Sequence, residues 1–170
     1  MKRITGIFAL LILLAWGGCS KVDYDIEGQQ TRFTDFITNG GWPFYEFNGV
    51  YQVVVLRGAG PAVAAGDSIY FSYTGSSFTG SVGPAFATNI KEKAKEANLD
   101  TTRLDFRPKG FRSGDGSLMP GLASGLTDCR QGDSLLVLIT SDLAYGDKQV
   151  GYVPAGTPVV FEVSILKVIK

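Results

Sequence analysis

The chain has 170 residues, enough for one globular domain plus a targeting segment, and 45% of them are hydrophobic, enough for a packed core. Its 16 basic and 16 acidic residues cancel and form no basic stripe, which argues against nucleic acid as a partner because binding phosphates needs clustered Lys and Arg. There is no histidine, so any activity must work without the commonest general base and the commonest zinc ligand.

The first 18 residues have the pattern of an export signal. After a basic start, the apolar run over 7–16 is shorter than the roughly 20 residues that span a bilayer. Two glycines then precede Cys19, as in bacterial lipoprotein signals, in which the cysteine receives lipid and becomes the new N-terminus, although Trp16 stands where Leu is usual. We predict a signal peptide over 1–18 and an exported protein held at a membrane, in the periplasm or at the cell surface, by lipid on Cys19. The alternative is an ordinary signal peptide with a chance cysteine.

A polar stretch follows Cys19. Three acidic residues near its start suit either a surface-export signal or a solvated tether: Asp23, Asp25 and Glu27. Because this stretch shows little periodicity, we predict a lipidated N-terminus and linker over 19–34, followed by a folded domain over 35–170. Four aromatic residues at positions 42, 44, 45 and 47 indicate that the segment 30–49 packs on the domain as an extra strand, since so large an exposed patch would be unusual.

Short strands separated by glycine-rich turns account for most of the remaining sequence, which fits the 22 glycines of the chain. Residues 67–74 alternate, with Ile69, Phe71 and Tyr73 on one face, which is typical of a half-buried strand. Four more segments are predicted as strands: 50–57, 102–106, 134–140 and 158–168. We expect Cys129, which lies in this folded part, to be a small buried residue that forms no disulfide with Cys19.

Two segments are predicted as helices. Residues 89–99 are charged with small apolar residues at helical spacing, and Asn89 can cap them with Glu92 three residues on. The second segment, 119–126, contains two glycines that weaken an isolated helix, so packing must hold it in place. The fold class is therefore α+β, with one antiparallel sheet and a short helix against it.

Three ordered stretches resemble the FKBP-type peptidyl-prolyl cis/trans isomerases. The first, 66–75, ends in Tyr-Thr-Gly, and the second, 118–126, resembles the segment that enters the short helix under the family's active site. The third, 132–163, runs through Leu-Ala-Tyr-Gly to Val-Pro-Ala-Gly-Thr-Pro. All three stand in the family's order within 66–170. This resemblance implies an FKBP-like antiparallel β-sheet wrapped around a short α-helix.

The resemblance also implies a shallow apolar bowl as the catalytic site. The residues that match its positions are Tyr73, Phe86, Phe106, Leu118, Met119, Leu122, Tyr145, Val153 and Phe161. Leu104 competes with Phe106 for one role, because 89–99 resembles an insertion just before them. Two positions depart from the family's pattern: Leu122 stands where a tryptophan floor is common, and Ala87 where an aspartate is usual.

A peptidyl-prolyl isomerase that assists the folding of exported proteins is the function implied by the resemblance. Its partners would be proline-containing polypeptides, and no metal or cofactor is expected. The Tyr145 hydroxyl and the Met119 backbone N–H are the candidate hydrogen-bond donors to substrate. Two alternatives stay open. One is a non-catalytic chaperone or peptide-binding module of the same fold, favoured by Leu122 and Ala87, and the other is a structural surface lipoprotein that mediates adhesion.

Overall fold

An antiparallel sheet with helices packed on it forms the computed structural model, which describes residues 24–170. Its elements are α1 (Ile26–Asn39), β1 (Phe44–Phe47), β2 (Val50–Leu56), β3 (Ser68–Phe78), β4 (Val82–Thr88), α2 (Lys91–Glu96), β5 (Lys109–Arg112), α3 (Pro120–Gly125), β6 (Ser134–Ile139), a 3-10 turn (Ser141–Leu143) and β7 (Val159–Ile169). The predicted fold class, α+β with an antiparallel sheet around a short helix, is confirmed. The predicted signal peptide and Cys19 lie outside the described residues. Within residues 24–170, no helix combines the length and the hydropathy needed to cross a bilayer.

The sheet has the order β1-β2-β6-β7-β3-β4, and β5 pairs with β3 alongside β4. Each half of β3 therefore has a different partner at this edge: β5 along its start and β4 along its end. The hairpin between β1 and β2 turns at Asn48 and Gly49, whose φ angles of 48° and 84° suit a two-residue turn between twisted strands. Within the predicted segment 30–49, residues 44–47 thus form an extra edge strand, whereas 30–39 belong to α1, and the side chains of Tyr45 and Phe47 stay 67% and 66% exposed.

The main core lies between the sheet and α3. Ile69 and Phe71 of β3 are almost fully buried in it, as their alternation predicts. A side chain added at Gly121 or Gly125 would overlap residues of β6. Glycine at these two positions therefore lets α3 approach the sheet closely, and this packing holds a helix that its composition alone would not favour.

α1 covers the opposite face of the sheet and corrects the prediction of a linker. Gln29, Phe33 and Ile37 are buried at a spacing of four residues, which places them on one face of the helix. With aromatic neighbours from the sheet, Phe33 and Ile37 form a second apolar cluster. The linker prediction was wrong over 26–34, because three buried positions in a mostly polar helix leave little periodicity to read from the sequence.

The segment between α2 and α3 also differs from its prediction. Residues 102–106 form no strand, and the strand at this edge is β5, beginning at Lys109. Asp105 accepts three hydrogen bonds from the Arg107 guanidinium and one from its backbone N–H, which folds the chain locally. The hydrogen bonds between Asp105 and Arg107 thus favour a local turn over strand pairing. The alternating apolar and polar side chains of this segment had favoured a strand.

Candidate active site

A bowl of about 160 Å³ opens between β3, β7 and the start of α3. The residues that line it are Phe71, Tyr73, Ala87, Lys109, Ser117, Leu118, Met119, Leu122, Tyr145 and Phe161. Six of them were predicted site residues: Tyr73, Leu118, Met119, Leu122, Tyr145 and Phe161. The structure therefore brings most of the predicted set together, from segments far apart in the chain.

Aromatic rings enclose the bowl by edge-to-face contacts. The Phe86 ring lies 5.7 Å from the Tyr145 ring and 6.0 Å from the Phe161 ring, centroid to centroid, and both pairs are nearly perpendicular. The rings of Tyr73 and Phe161 are 6.2 Å apart. Phe86, which does not itself line the cavity, thus supports two rings that do, and such contacts add to the free energy gained by burying the rings.

Residues at the end of β4 fix the backbone of Tyr73. The Tyr73 N–H donates to Asn89 Oδ1 at 2.7 Å, and the Thr88 hydroxyl donates to the Tyr73 carbonyl at 2.7 Å. The Asn89 side-chain amide also donates to the carbonyls of Phe71 and Arg107. The prediction that Asn89 caps a helix was wrong, because its amide is engaged between strands, and α2 begins after Ile90 without a side-chain cap.

Among the residues that the structure describes, two hydrogen-bond donors at the bowl have no acceptor, the Met119 N–H and the Tyr145 hydroxyl. Within residues 24–170 the Met119 N–H donates to no backbone carbonyl, and Met119 precedes the first turn of α3. Burial raises the pKa of the half-buried Tyr145 hydroxyl, and the nearby Tyr73 raises it further. The Tyr145 hydroxyl therefore keeps its proton at neutral pH and can donate it in a hydrogen bond.

Two predicted site residues lie elsewhere. Val153 is 1% exposed, but it pairs with Val150 inside the loop before β7 and does not line the bowl. Phe106 is half-buried in the segment before β5 and also stays outside the lining. The two assignments therefore stay predictions, which the lining of the bowl does not support.

Sequence reasoning missed three residues that line the bowl, Phe71, Lys109 and Ser117, and named a fourth, Ala87, only as a departure from the family's pattern. Phe71 carried a usable signal, since it shares a strand face with Tyr73. Lys109 carried none, because the strand in this region was placed several residues too early. The bowl therefore has a cationic side chain that the sequence did not reveal.

The remaining candidates for chemistry fit less well. A cavity of about 900 Å³ beside the bowl shares Tyr73 and Lys109 with it, but charged side chains such as Arg103 and Lys167 line much of it. Cys129 is fully buried, as predicted, and burial raises the pKa of its thiol to about 12, which makes it a poor nucleophile. Among residues 24–170, no three His, Cys, Asp or Glu side chains form a group that could hold a metal ion.

Comparison with known proteins gives one consistent family. A sequence model described as FKBP-type peptidyl-prolyl cis-trans isomerase matches residues 60–166. The FK506-binding protein 1 of Aspergillus oryzae is 31% identical over 121 residues, which cover 71% of this chain and 98% of that protein. The FKBP-type peptidyl-prolyl cis-trans isomerase FkpA of Escherichia coli K12 is 32% identical over 119 residues, 70% of this chain but 37% of that protein.

Solved structures share the fold. The crystal structure of FkpA from Escherichia coli superposes with a TM-score of 0.61 at 24% identity, covering 88% of this chain and 61% of that one. A peptidyl-prolyl cis-trans isomerase from Pseudomonas syringae pv. tomato superposes with a TM-score of 0.60 at 23% identity, covering 87% of this chain and 98% of that one. The sheet and its short helix are thus arranged as in these proteins.

Proposed function

The chain belongs to the FKBP-type peptidyl-prolyl cis-trans isomerases, and from that premise we propose that its aromatic bowl binds a proline ring and favours the twisted X–Pro amide. Membership of this family makes the chain an isomerase that acts on proline-containing polypeptides. The observation that carries the proposal is the joint enclosure of one small cavity by Tyr73, Tyr145 and Phe161, with two open donors at its edge.

The chemistry that the bowl must perform is rotation about one bond. The barrier of roughly 18–20 kcal/mol arises from amide resonance, and uncatalysed rotation takes tens to hundreds of seconds. A twisted amide has less charge separation than the planar amide, so an apolar surface from which water is excluded stabilises it relative to the ground state. No nucleophile or proton transfer is required, and a chain without histidine can therefore catalyse the reaction.

Particular groups have particular roles in this mechanism. The walls formed by Tyr73 and Phe161 hold the proline ring, with Leu122 as the floor. The Tyr145 hydroxyl and the Met119 N–H each donate a hydrogen bond to a carbonyl next to the proline, which holds the flanking chain while the amide turns. A charged or strongly hydrated floor would favour the planar amide, and Leu122 avoids this.

An isomerisation assay on proline peptides tests this mechanism. We expect the purified chain to accelerate rotation, and Tyr145→Phe to lower kcat/KM roughly 2-fold to 10-fold, since one hydrogen bond contributes about 0.5–1.5 kcal/mol. Burial raises the pKa of the Tyr145 hydroxyl above its ordinary value of 10.0. The isomerisation rate should therefore stay constant as the pH rises to 10.0 and should decline only at higher pH. The control is Tyr45→Phe, which makes the same change on a side chain that is 67% exposed on β1.

A second candidate function is peptide binding without catalysis. It is favoured by Leu122 and Ala87, which replace the family's common tryptophan floor and leave one wall without a carboxylate. The same assay separates the two functions. If the folded chain binds proline peptides but does not accelerate rotation, it is a chaperone or docking module. If Tyr145→Phe matches the parent chain, the hydroxyl is not a donor to substrate.

We also propose that the chain is exported and held at a membrane by lipid on Cys19, where it assists the folding of exported proteins. Support comes from the basic start, the apolar run and the two glycines before Cys19. In cells grown with a labelled fatty acid, the chain should carry label and sediment with membranes. Cys19→Ala should abolish both, whereas the matched Cys129→Ala should retain them. Labelling of the Cys19→Ala variant would contradict the proposal.

A further inference from the structure

The start of β5 brings Lys109 to the bowl. Lys109 is the Cα partner of Phe71 in the antiparallel pair of β3 and β5. Directly opposed residues of such a pair project to the same face of the sheet, and Phe71 lines the bowl. Lys109 is itself exposed and lines the bowl beside Tyr73 and Ala87. Its four-carbon stem is long and flexible enough to bring the ammonium group to the bowl's rim.

Among the described residues that line the bowl, Lys109 carries the only charge. The other nine lining residues are apolar, aromatic or hydroxyl-bearing. Among residues 24–170, no carboxylate lies within 4.0 Å of Lys109 Nζ, since six other pairs account for the ion pairs found there. The nearest carboxylate along the chain, Asp105, is engaged by the Arg107 guanidinium at 2.7 Å. Nothing in the described fold therefore neutralises Lys109.

We infer that Lys109 is a specificity-determining residue that selects substrates with an acidic side chain next to the proline. This inference rests on the proposed function, because it places the proline ring in the bowl. An acidic side chain beside that proline would lie within reach of the flexible ammonium group, close to an apolar surface that weakens screening by water. Ala87 adds no competing carboxylate on this wall. A solvent-exposed pair of this kind changes binding by about 2-fold to 5-fold.

Paired peptides test the selection. Two substrates differ only in Glu or Gln beside the proline, so their shapes match and their charges differ. We expect the full chain to show a kcat/KM ratio for Glu over Gln of about 2–5 at low salt, which falls toward 1 at high salt because ions screen exposed charges. Lys109→Met should bring the ratio to about 1, and Lys109→Glu should reverse the preference.

Lys167→Met is the matched control. Lys167 pairs with Tyr70 of β3, one residue away from Phe71 and hence on the opposite face of the sheet. It lines the neighbouring cavity but not the bowl. The variant removes the same charge from the same sheet, so the Glu-over-Gln ratio should be unchanged. An equal fall in Lys167→Met and Lys109→Met would show that the preference comes from the overall field and would overturn the inference.

The Gln peptide separates the two ways to fail. If the chain accelerates both peptides equally, the isomerase mechanism stands and the selection by Lys109 is wrong. If it accelerates neither peptide, the catalytic proposal is wrong. The selection by Lys109 is then tested by the dissociation constants of the Glu and Gln peptides, whose ratio takes the place of the ratio of kcat/KM values. Tighter binding of the Glu peptide, lost in Lys109→Met, would still support the inference, and equal binding would overturn it.

Discussion

Gly75 sets how closely the rings of Phe161, which lines the bowl, and Phe86, which supports it, pack against β3. A Cβ atom at this position would lie 2.6 Å from Phe161 Cε1 and 3.1 Å from Phe86 Cζ. A separation of 2.6 Å is shorter than two non-bonded carbon atoms tolerate. Because an aromatic ring moves only as a rigid unit, the whole Phe161 ring would have to shift to relieve this contact. The glycine of the Tyr-Thr-Gly motif therefore has a packing role at the site in addition to its place in the strand.

We predict that Gly75→Ala displaces the Phe161 and Phe86 rings and lowers kcat/KM, with a loss of roughly 1–3 kcal/mol in the free energy of unfolding. Isomerisation rates and denaturant unfolding measure the two effects. The control is Gly110→Ala, also inside a strand, where the nearest atom is Tyr70 Cε1 at 3.2 Å on a ring that is 39% exposed and can yield. Equal activity in the two variants would contradict the packing role.

Residues of the bowl were predictable where a motif and a strand period agreed. Tyr73 stands both in Tyr-Thr-Gly and on the buried face of β3, and the structure places it at the bowl. Phe106 had only an uncertain position after an insertion, and the structure places Lys109 there instead. Side-chain identity could not separate them, because the register of β5 is set by backbone pairing with β3 across almost 40 residues of chain.

Gln29 links α1 to the loop that carries Tyr145. Its Oε1 accepts from the Ser141 N–H at 2.9 Å, and its Nε2 donates to the Ser141 hydroxyl at 2.9 Å and to the Gly156 carbonyl at 3.4 Å. The side chain is 3% exposed. Ser141 begins the 3-10 turn that leads to Tyr145, so a helix on one face of the sheet positions a residue of the bowl.

We predict that Gln29→Leu lowers the free energy of unfolding by roughly 1–3 kcal/mol, because it leaves the buried N–H of Ser141 without an acceptor. Hydrogen exchange at Ser141 should accelerate, and kcat/KM should fall as Tyr145 becomes less well positioned. Gln30→Leu makes the same change on the neighbouring side chain of α1 and should leave Ser141 protected. Unchanged exchange in Gln29→Leu would show that another group holds the loop.

Whole elements were predictable where their pattern was local. The alternation of β3 and β7 and the apolar run of β6 predicted three central strands. α1 was missed because only Gln29, Phe33 and Ile37 are buried, and one of these is polar. From sequence alone, a glutamine is predicted to lie at the surface. Gln29 is buried instead, with Ser141 and Gly156 as its hydrogen-bond partners, and these residues lie more than 100 positions later in the chain.

At the scale of the molecule, the sheet separates two apolar clusters with different roles. The cluster beneath α3 contains Phe71 and Phe161, which also line the bowl. The cluster beneath α1 contains Phe33, whose ring lies 5.4 Å from Tyr51 and 5.1 Å from Phe78. The first cluster forms the site, whereas the second stabilises the sheet from its opposite face.

We therefore predict that Phe33→Ala reduces stability without altering catalysis by the folded fraction. Truncating a fully buried phenylalanine costs about 3–5 kcal/mol, a large share of the 5–15 kcal/mol that stabilises a typical domain. The melting temperature should fall on the order of 10 °C. Phe44→Ala is the control, since this ring is 37% exposed on edge strand β1 and should cost much less. Below the transition, kcat/KM per folded molecule should match the parent chain. A fall in kcat/KM before unfolding begins would contradict this separation of roles and would mean that the two clusters are coupled through the sheet.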